Sequence, residues 1–160
     1  MAMTASEMSE IEKVRDSSRR IVRELGFMKP TLASTGLPAS AVHALIEIGG
    51  NDALAAGTLA EILNLEKSSV SRMLRKLVDA GEIEERPNPD DARSKLLTLT
   101  TRGRATLAAI DNFGKSQVAG AFRHLSDDQR RIVVAGLIAY AEALQHVRRA
   151  DNAPNASGTG

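Results

Sequence analysis

Apolar positions recur every three to four residues along most of this chain, and every second residue in one short stretch. Over residues 9–25, Ile11, Val14, Ile21, Val22 and Leu25 repeat as a narrow seam, with Ser18 in the same row. Ser9 and Glu12 have the spacing of a capping box, which predicts a helix start, and Gly26 is a suitable stop. Lys13, Arg15, Arg19, Arg20 and Arg23 make the opposite face polar, so the helix reads as a packing arm, within one subunit or between two. Residues 1–8 lack such a pattern and are expected to be disordered. Phe27 to Leu37 reads as irregular. Pro38 suits the first turn of a helix carrying Val42, Leu45, Ile46 and Ile48, which the Gly49-Gly50-Asn51-Asp52 cluster ends.

Thr58 and Glu61 suggest a second capping box, opening a short helix from Leu59 to Leu63. Asn64-Leu65-Glu66 makes a turn, and a helix from Lys67 to Ala80 follows, stopped by Gly81. Its apolar back is Val70, Leu74 and Leu77, with Met73 beside them. Its front is Ser68, Ser69, Ser71, Arg72, Arg75 and Lys76, with no acid between Lys67 and Lys76. Two short helices joined by a tight turn, the second one basic, form a helix-turn-helix pattern. Period-two alternation then appears in 82–86 and 95–99, around the turn Pro87-Asn88-Pro89-Asp90-Asp91-Ala92-Arg93, and predicts a β-hairpin. Thr100 or Thr101 caps a long helix to about Leu125, with Gly114 a place for a bend. Ser126 and Gln129 form another capping box, and Val133, Leu137, Tyr140, Leu144 and Val147 stripe the last helix. Residues 150–160 are small and polar and are expected to be disordered.

The pattern predicts a mainly α chain with a small β-hairpin wing. A winged helix-turn-helix lobe (about 38–100) stands between helical arms (about 9–25 and 101–148), all in one domain over 9–149. Net charge is only +1, so any affinity for nucleic acid must come from local clustering. Arginine forks match guanine edges in a major groove, and Ser and Lys hold phosphates. The plainer alternative is a solvated basic face. In the wing region, Arg93, Lys95, Arg102 and Arg104 follow one another without an intervening acid. Asp91 can extend the Arg93 guanidinium by a charge-assisted pair, a pose suited to a narrow minor groove. Read plainly, that pair is a surface salt bridge worth roughly 0–1 kcal/mol. There is no cysteine, which rules out disulfides, thiolate metal sites and thiol redox sensing. His43, His124 and His146 are far apart, and no metal-ligand spacing or nucleophile–base pair stands out. No cofactor or metal is expected. No signal peptide or membrane-spanning run is visible, which fits a soluble, cytoplasmic protein.

Three classes of function compete: a DNA-binding regulator, a winged-helix module that docks on proteins, and an enzyme. The near-zero net charge slightly favours the second. The acid-free stretches at 67–76 and 93–104 favour the first, because protein docking does not require them.

From about Pro38 to Val147 the chain resembles the MarR family of winged helix-turn-helix regulators. The resemblance rests on the run Leu59 to Arg72, on Leu77 and Ala80-Gly81-Glu82-Ile83, and above all on the wing run Arg86 to Ser94 closing with Leu97-Thr98-Leu99-Thr100-Thr101-Arg102-Gly103. It implies a homodimer with intertwined terminal helices that binds pseudo-palindromic double-stranded promoter DNA and usually represses. By this resemblance and the residue types, the DNA-binding positions are Lys67, Ser68, Ser69, Ser71, Arg72, Arg75, Lys76, Asp91, Arg93 and Lys95. Many members of the family release DNA when a small-molecule effector enters a cleft between arms and lobe. Here the lining candidates are Phe27, Met28, His43 and Phe113, in a chain with few aromatic residues and without the cysteine that peroxide-sensing members use. Ser17 to Glu82 also resembles the regulator half of proteins that carry a C-terminal acetyltransferase, but no Gly-rich loop for coenzyme A follows residue 100.

Overall fold

The computed structural model describes residues 3–152, which form two compact units divided after Gly114. The first unit opens with α1 (Ala5–Glu24). The helix starts earlier than Ser9, because Thr4 and Glu7 form the capping box instead. The Thr4 amide donates to Glu7 Oε2 at 2.6 Å, and the Glu7 amide donates to Thr4 Oγ1 at 3.2 Å. Residues 5–8, expected to be disordered, are therefore helical. Two successive Ser/Thr-x-x-Glu patterns, 4–7 and 9–12, compete here, and the upstream one lengthens the helix by five residues. No residue of α1 is buried.

The stretch expected to be irregular contains a small bridge between Leu32 and Leu37, turned by Ala33 and Ser34 at φ of 54° and 55°. Pro38 is the N-cap of α2 (Ala39–Gly49) rather than a residue of its first turn. Its fixed φ and missing amide suit either place.

The lobe then takes the chain through β1 (Leu54–Ala55), α3 (Ala56–Leu63), α4 (Lys67–Asp79), β2 (Ile83–Pro87) and β3 (Lys95–Leu99). The sheet is three-stranded and antiparallel, in the order β1-β3-β2. The hairpin was legible in the alternation, but β1 was not. It has only two residues, and it exists because Leu54 pairs with Leu97 and Ala55 with Leu96. That pairing also moves the start of α3 back to Ala56, so the capping box expected of Thr58 and Glu61 does not form. Asn64, at φ 53°, ends α3 in the left-handed conformation that Asn tolerates. Gly81, at φ 71°, ends α4. Its amide donates to the Val78 carbonyl and that of Glu82 to the Leu77 carbonyl, both at 2.9 Å, which is a Schellman stop.

The core joins α2, α3, α4 and the sheet. Leu45, Leu59 and Leu97 are fully buried, with Ile48, Val70 and Leu77 next to them. Aliphatic burial of this kind contributes roughly 1.5–3 kcal/mol per large side chain. α5 (Thr101–Phe122) joins the core through Gly103 and Ile110. Its start is tied to the end of α4. The Thr100 hydroxyl donates to the Gly81 carbonyl at 2.6 Å, and the Thr100 amide to the Glu82 carbonyl at 3.1 Å.

In the second unit, α6 (Asp127–Asn152) opens on the Ser126–Gln129 capping box read from the sequence. Arg130 Nε donates to the Phe122 carbonyl at 3.0 Å, with its guanidinium over the Phe122 ring. α6 runs to Asn152, so residues 150–152 are helical rather than disordered, and 153–160 lie outside the described residues. None of its residues is buried, and Ile132, Leu137, Ile138, Leu144 and Val147 are more than half exposed. No described helix is long and apolar enough to cross a membrane.

Candidate nucleic-acid interface

α4 presents two faces. Val70, Leu74 and Leu77 are buried against the lobe, while Lys67, Ser68, Ser71, Arg72, Arg75 and Lys76 are exposed. Ser69 is half-buried between them, and its hydroxyl accepts a hydrogen bond from Arg72 Nη2 at 3.2 Å, one turn on. That contact restrains the first arginine of the face. Among the described residues, Lys67, Arg72, Arg75 and Lys76 take part in none of the ion pairs shorter than 4 Å, which engage cations elsewhere on the chain. A groove of about 550 Å³ runs along one side of α4, between Leu37, Pro38 and Ser40 on one wall and Arg72, Arg75 and Lys76 on the other.

The wing departs from the expected picture in two ways. Asp91 does not hold the Arg93 guanidinium. Its Oδ1 accepts the Arg93 backbone amide at 2.9 Å, so it shapes the turn and leaves the exposed side chain without an acidic partner among the described residues. An Asp two residues ahead can close an Asx turn over a shorter path than it can reach a guanidinium. The run of basic residues is also not free of acids in space. Lys95 Nζ donates to Glu85 Oε2 at 2.5 Å across the strands, and Arg102 Nε donates to the buried Glu82 Oε1 at 3.0 Å. Arg104 is occupied by the Leu99 carbonyl and the Thr101 hydroxyl. Arg93 is the cation of that run left without an acid or a hydrogen-bond acceptor among the described residues.

On the outer face of the sheet, a polar concavity of about 730 Å³ is lined by Asp52, Glu84, Arg86, Thr98 and Arg104. Two of its charges already answer one another. Arg86 donates through Nε and Nη2 to Glu84 Oε1, which also accepts the Thr98 hydroxyl. The hydrogen bond and charge of Arg86 hold the Glu84 carboxyl below its ordinary value of 4.5, with Thr98 and the charge of Arg104 adding to the effect. These concavities were not legible in the sequence, since their walls come from residues tens of positions apart.

Of the four residues expected to line an effector cleft, two are brought together. Phe27 and His43 stack, with centroids 5.7 Å apart and planes at 18°. Met28 is exposed to 75%, and Phe113 to 37%. None of the four lines either concavity described above. Among the described residues, no group of His, Cys, Asp or Glu is placed to hold a metal ion.

A helix-turn-helix with a basic second helix is thus followed by a wing whose tip carries an arginine without an acidic partner among the described residues. The MarR family profile matches residues 35–94, the whole of that arrangement up to the wing tip. Over those residues the chain is similar to the MarR family. Among curated relatives, the HTH-type transcriptional regulator YdgJ of Bacillus subtilis is 24% identical over 102 residues. That match takes in 64% of this chain and 62% of YdgJ, so it spans about three-fifths of the relative's length. The fold is shared with Sco3205 of Streptomyces coelicolor, solved in complex with DNA, at a TM-score of 0.70 and 20% identity, over 89% of this chain and 94% of that one. It is shared also with BpsR of Bordetella bronchiseptica, a protein whose DNA binding is regulated by 6-hydroxynicotinic acid. There the TM-score is 0.66 and the identity 21%, over 81% of this chain and 98% of BpsR.

Proposed function

We propose that this chain is a MarR-family transcriptional regulator that acts as a homodimer on pseudo-palindromic double-stranded DNA and represses by occupying the promoter. The observation that carries the reading is the exposed face of α4. It is basic and outside the ion pairs of the described residues, while the neighbouring sheet neutralises its own cations. α4 enters a major groove, with Ser68, Ser69, Ser71 and Arg72 nearest the bases and Lys67, Arg75 and Lys76 towards phosphates. Arg93 reaches a flanking minor groove from the wing tip, with Asp91 holding its backbone. Lys95, expected to contact DNA, can do so only by exchanging Glu85 for a phosphate.

The dimer is supported by the uncovered apolar faces. Met8, Ile11, Val14, Ile21 and Val22 on α1 are each more than a third exposed, as are the α6 residues above. A row of large apolar side chains left exposed along a helix marks an interaction surface. An effector site is built on the stacked Phe27–His43 pair. We place the chain among regulators rather than enzymes, and in the cytoplasm, where promoter DNA is read.

The test is selection of binders from a pool of random duplexes at two salt concentrations, repeated with Arg93→Ala. The expected result is enrichment of a pseudo-palindrome, with affinity falling on a log–log slope of about −0.9 per phosphate neutralised, and weaker binding by the variant. Recovery of no duplex in low salt would move the assignment to a protein-docking module.

A further inference from the structure

The β2–β3 ladder pairs Ile83 with Leu99 and ends at Pro87 opposite Lys95. Asn88 and Ser94 are the next two residues in that register. No backbone rung joins them, but Asn88 Nδ2 donates to Ser94 Oγ at 2.7 Å. Each partner is also fastened to the tip. Asn88 Oδ1 accepts the Asp90 amide at 3.0 Å, and the Asp91 carbonyl accepts the Ser94 amide at 3.0 Å. From Glu84 to Lys95, Asn88 and Ser94 are half-buried, while every other residue is exposed.

We propose that Asn88 and Ser94 form a clasp that closes the wing tip and positions Arg93, without touching DNA themselves. The inference rests on the reading of Arg93 as a DNA contact. The reasoning is entropic. Without the clasp, the segment from Asn88 to Ser94 hangs from a ladder that ended at a residue with no amide hydrogen. Arg93, next to Ser94, then samples many directions. Only a fraction of these face the groove, and apparent affinity falls by that fraction. A neutral side-chain hydrogen bond stabilises the closed tip by an amount that corresponds to about a three- to tenfold shift in the closed population. The Asp91–Arg93 turn alone cannot supply this, because it fixes the backbone of Arg93 relative to Asp91 and not relative to the strands.

The experiment is a double-mutant cycle on the full chain, against the duplex recovered by selection, with Asn88→Ala, Arg93→Ala and the pair. Ser94→Ala and Ser94→Thr are measured beside them. Asn88→Ala and Ser94→Ala are each expected to weaken binding about three- to tenfold. Asn88→Ala should not weaken binding further once Arg93 is gone, and Ser94→Thr, which keeps the hydroxyl, should bind as the parent does. Backbone 15N relaxation should show the Arg93 amide becoming mobile in Asn88→Ala, with the Leu97 and Ile83 amides unchanged. Additive losses in the double variant would overturn the proposal, because Asn88 would then act on DNA directly. Unchanged affinity of Asn88→Ala while Arg93→Ala is weakened would overturn it too. Unchanged affinity of Arg93→Ala would instead remove the reading of the wing on which the proposal stands.

Discussion

Gly103 and Gly114 lie in the same helix, α5, and helix propensity alone predicts that alanine stabilises at both. The structure predicts opposite signs. A Cβ on Gly103 would stand 1.9 Å from the Glu82 carbonyl oxygen, where side-chain carbons essentially never come within 3.0 Å. The obstacle is backbone, so α5 and the α4–β2 turn would have to part by at least an ångström. The turn is held to α5 by three bonds from Thr100: its hydroxyl to the Gly81 and Glu82 carbonyls at 2.6 and 3.2 Å, and its amide to the Glu82 carbonyl at 3.1 Å. Losing bonds of this kind costs about 0.5–1.5 kcal/mol each, hence about 2–4 kcal/mol together. The alanine returns at most about 1 kcal/mol of helix propensity. Gly103→Ala is therefore expected to destabilise by about 1–3 kcal/mol, or roughly 2–12 °C in melting temperature. At Gly114 nothing lies within 4 Å of the added carbon, and alanine should stabilise by about 0.5–1 kcal/mol. Thermal unfolding of both variants, at one fixed protein concentration, checks this. A Gly103→Ala protein that melts at or above the parent would refute the close approach on which the reasoning depends.

Two further outcomes follow from the same geometry. Leu137 and Leu144 of α6 are each 52% exposed; if a second copy covers them, Leu137→Lys with Leu144→Lys should shift sedimentation from dimer to monomer. The unpaired charges would cost the interface about 2–3 kcal/mol, and a dimer of undiminished affinity would exclude α6 from it. Glu84 should titrate below 4.5 when followed by NMR, and Arg86→Ala should raise its midpoint towards that value. Because the folded value is depressed, what the pair contributes is present above the unfolded value and is lost as pH falls through the folded one. An unmoved midpoint in the variant would mean that Arg86 is not the main cause.

The helix-turn-helix was legible because its signals are local. The apolar back of α4, its acid-free front and Gly81 at its end all lie within fifteen residues, and periodicity and capping act over that distance. The wing was legible for the same reason, as alternation on either side of a Pro- and Asp-rich turn. What failed was whatever depended on partners brought from afar. β1 has no pattern of its own and exists only through Leu97, more than forty residues on. The missing capping box at Thr58 follows from that strand, while the one at Thr4 was a local pattern passed over for Ser9.

The candidate interface divides along the same line. The residue types on α4 and the position of Arg93 in the wing turn were readable from the order of amino acids, because a helix face and a turn are properties of neighbours. Which wing cations are free was not. Lys95 meets Glu85 through strand register, and Arg102 meets Glu82 through the packing of α5 on the end of α4. The chain by itself determined where helices, turns and basic runs would form. Only the tertiary structure decided which of those charges are cancelled and which are left for a partner, because cancellation is settled by distance in space and not along the chain.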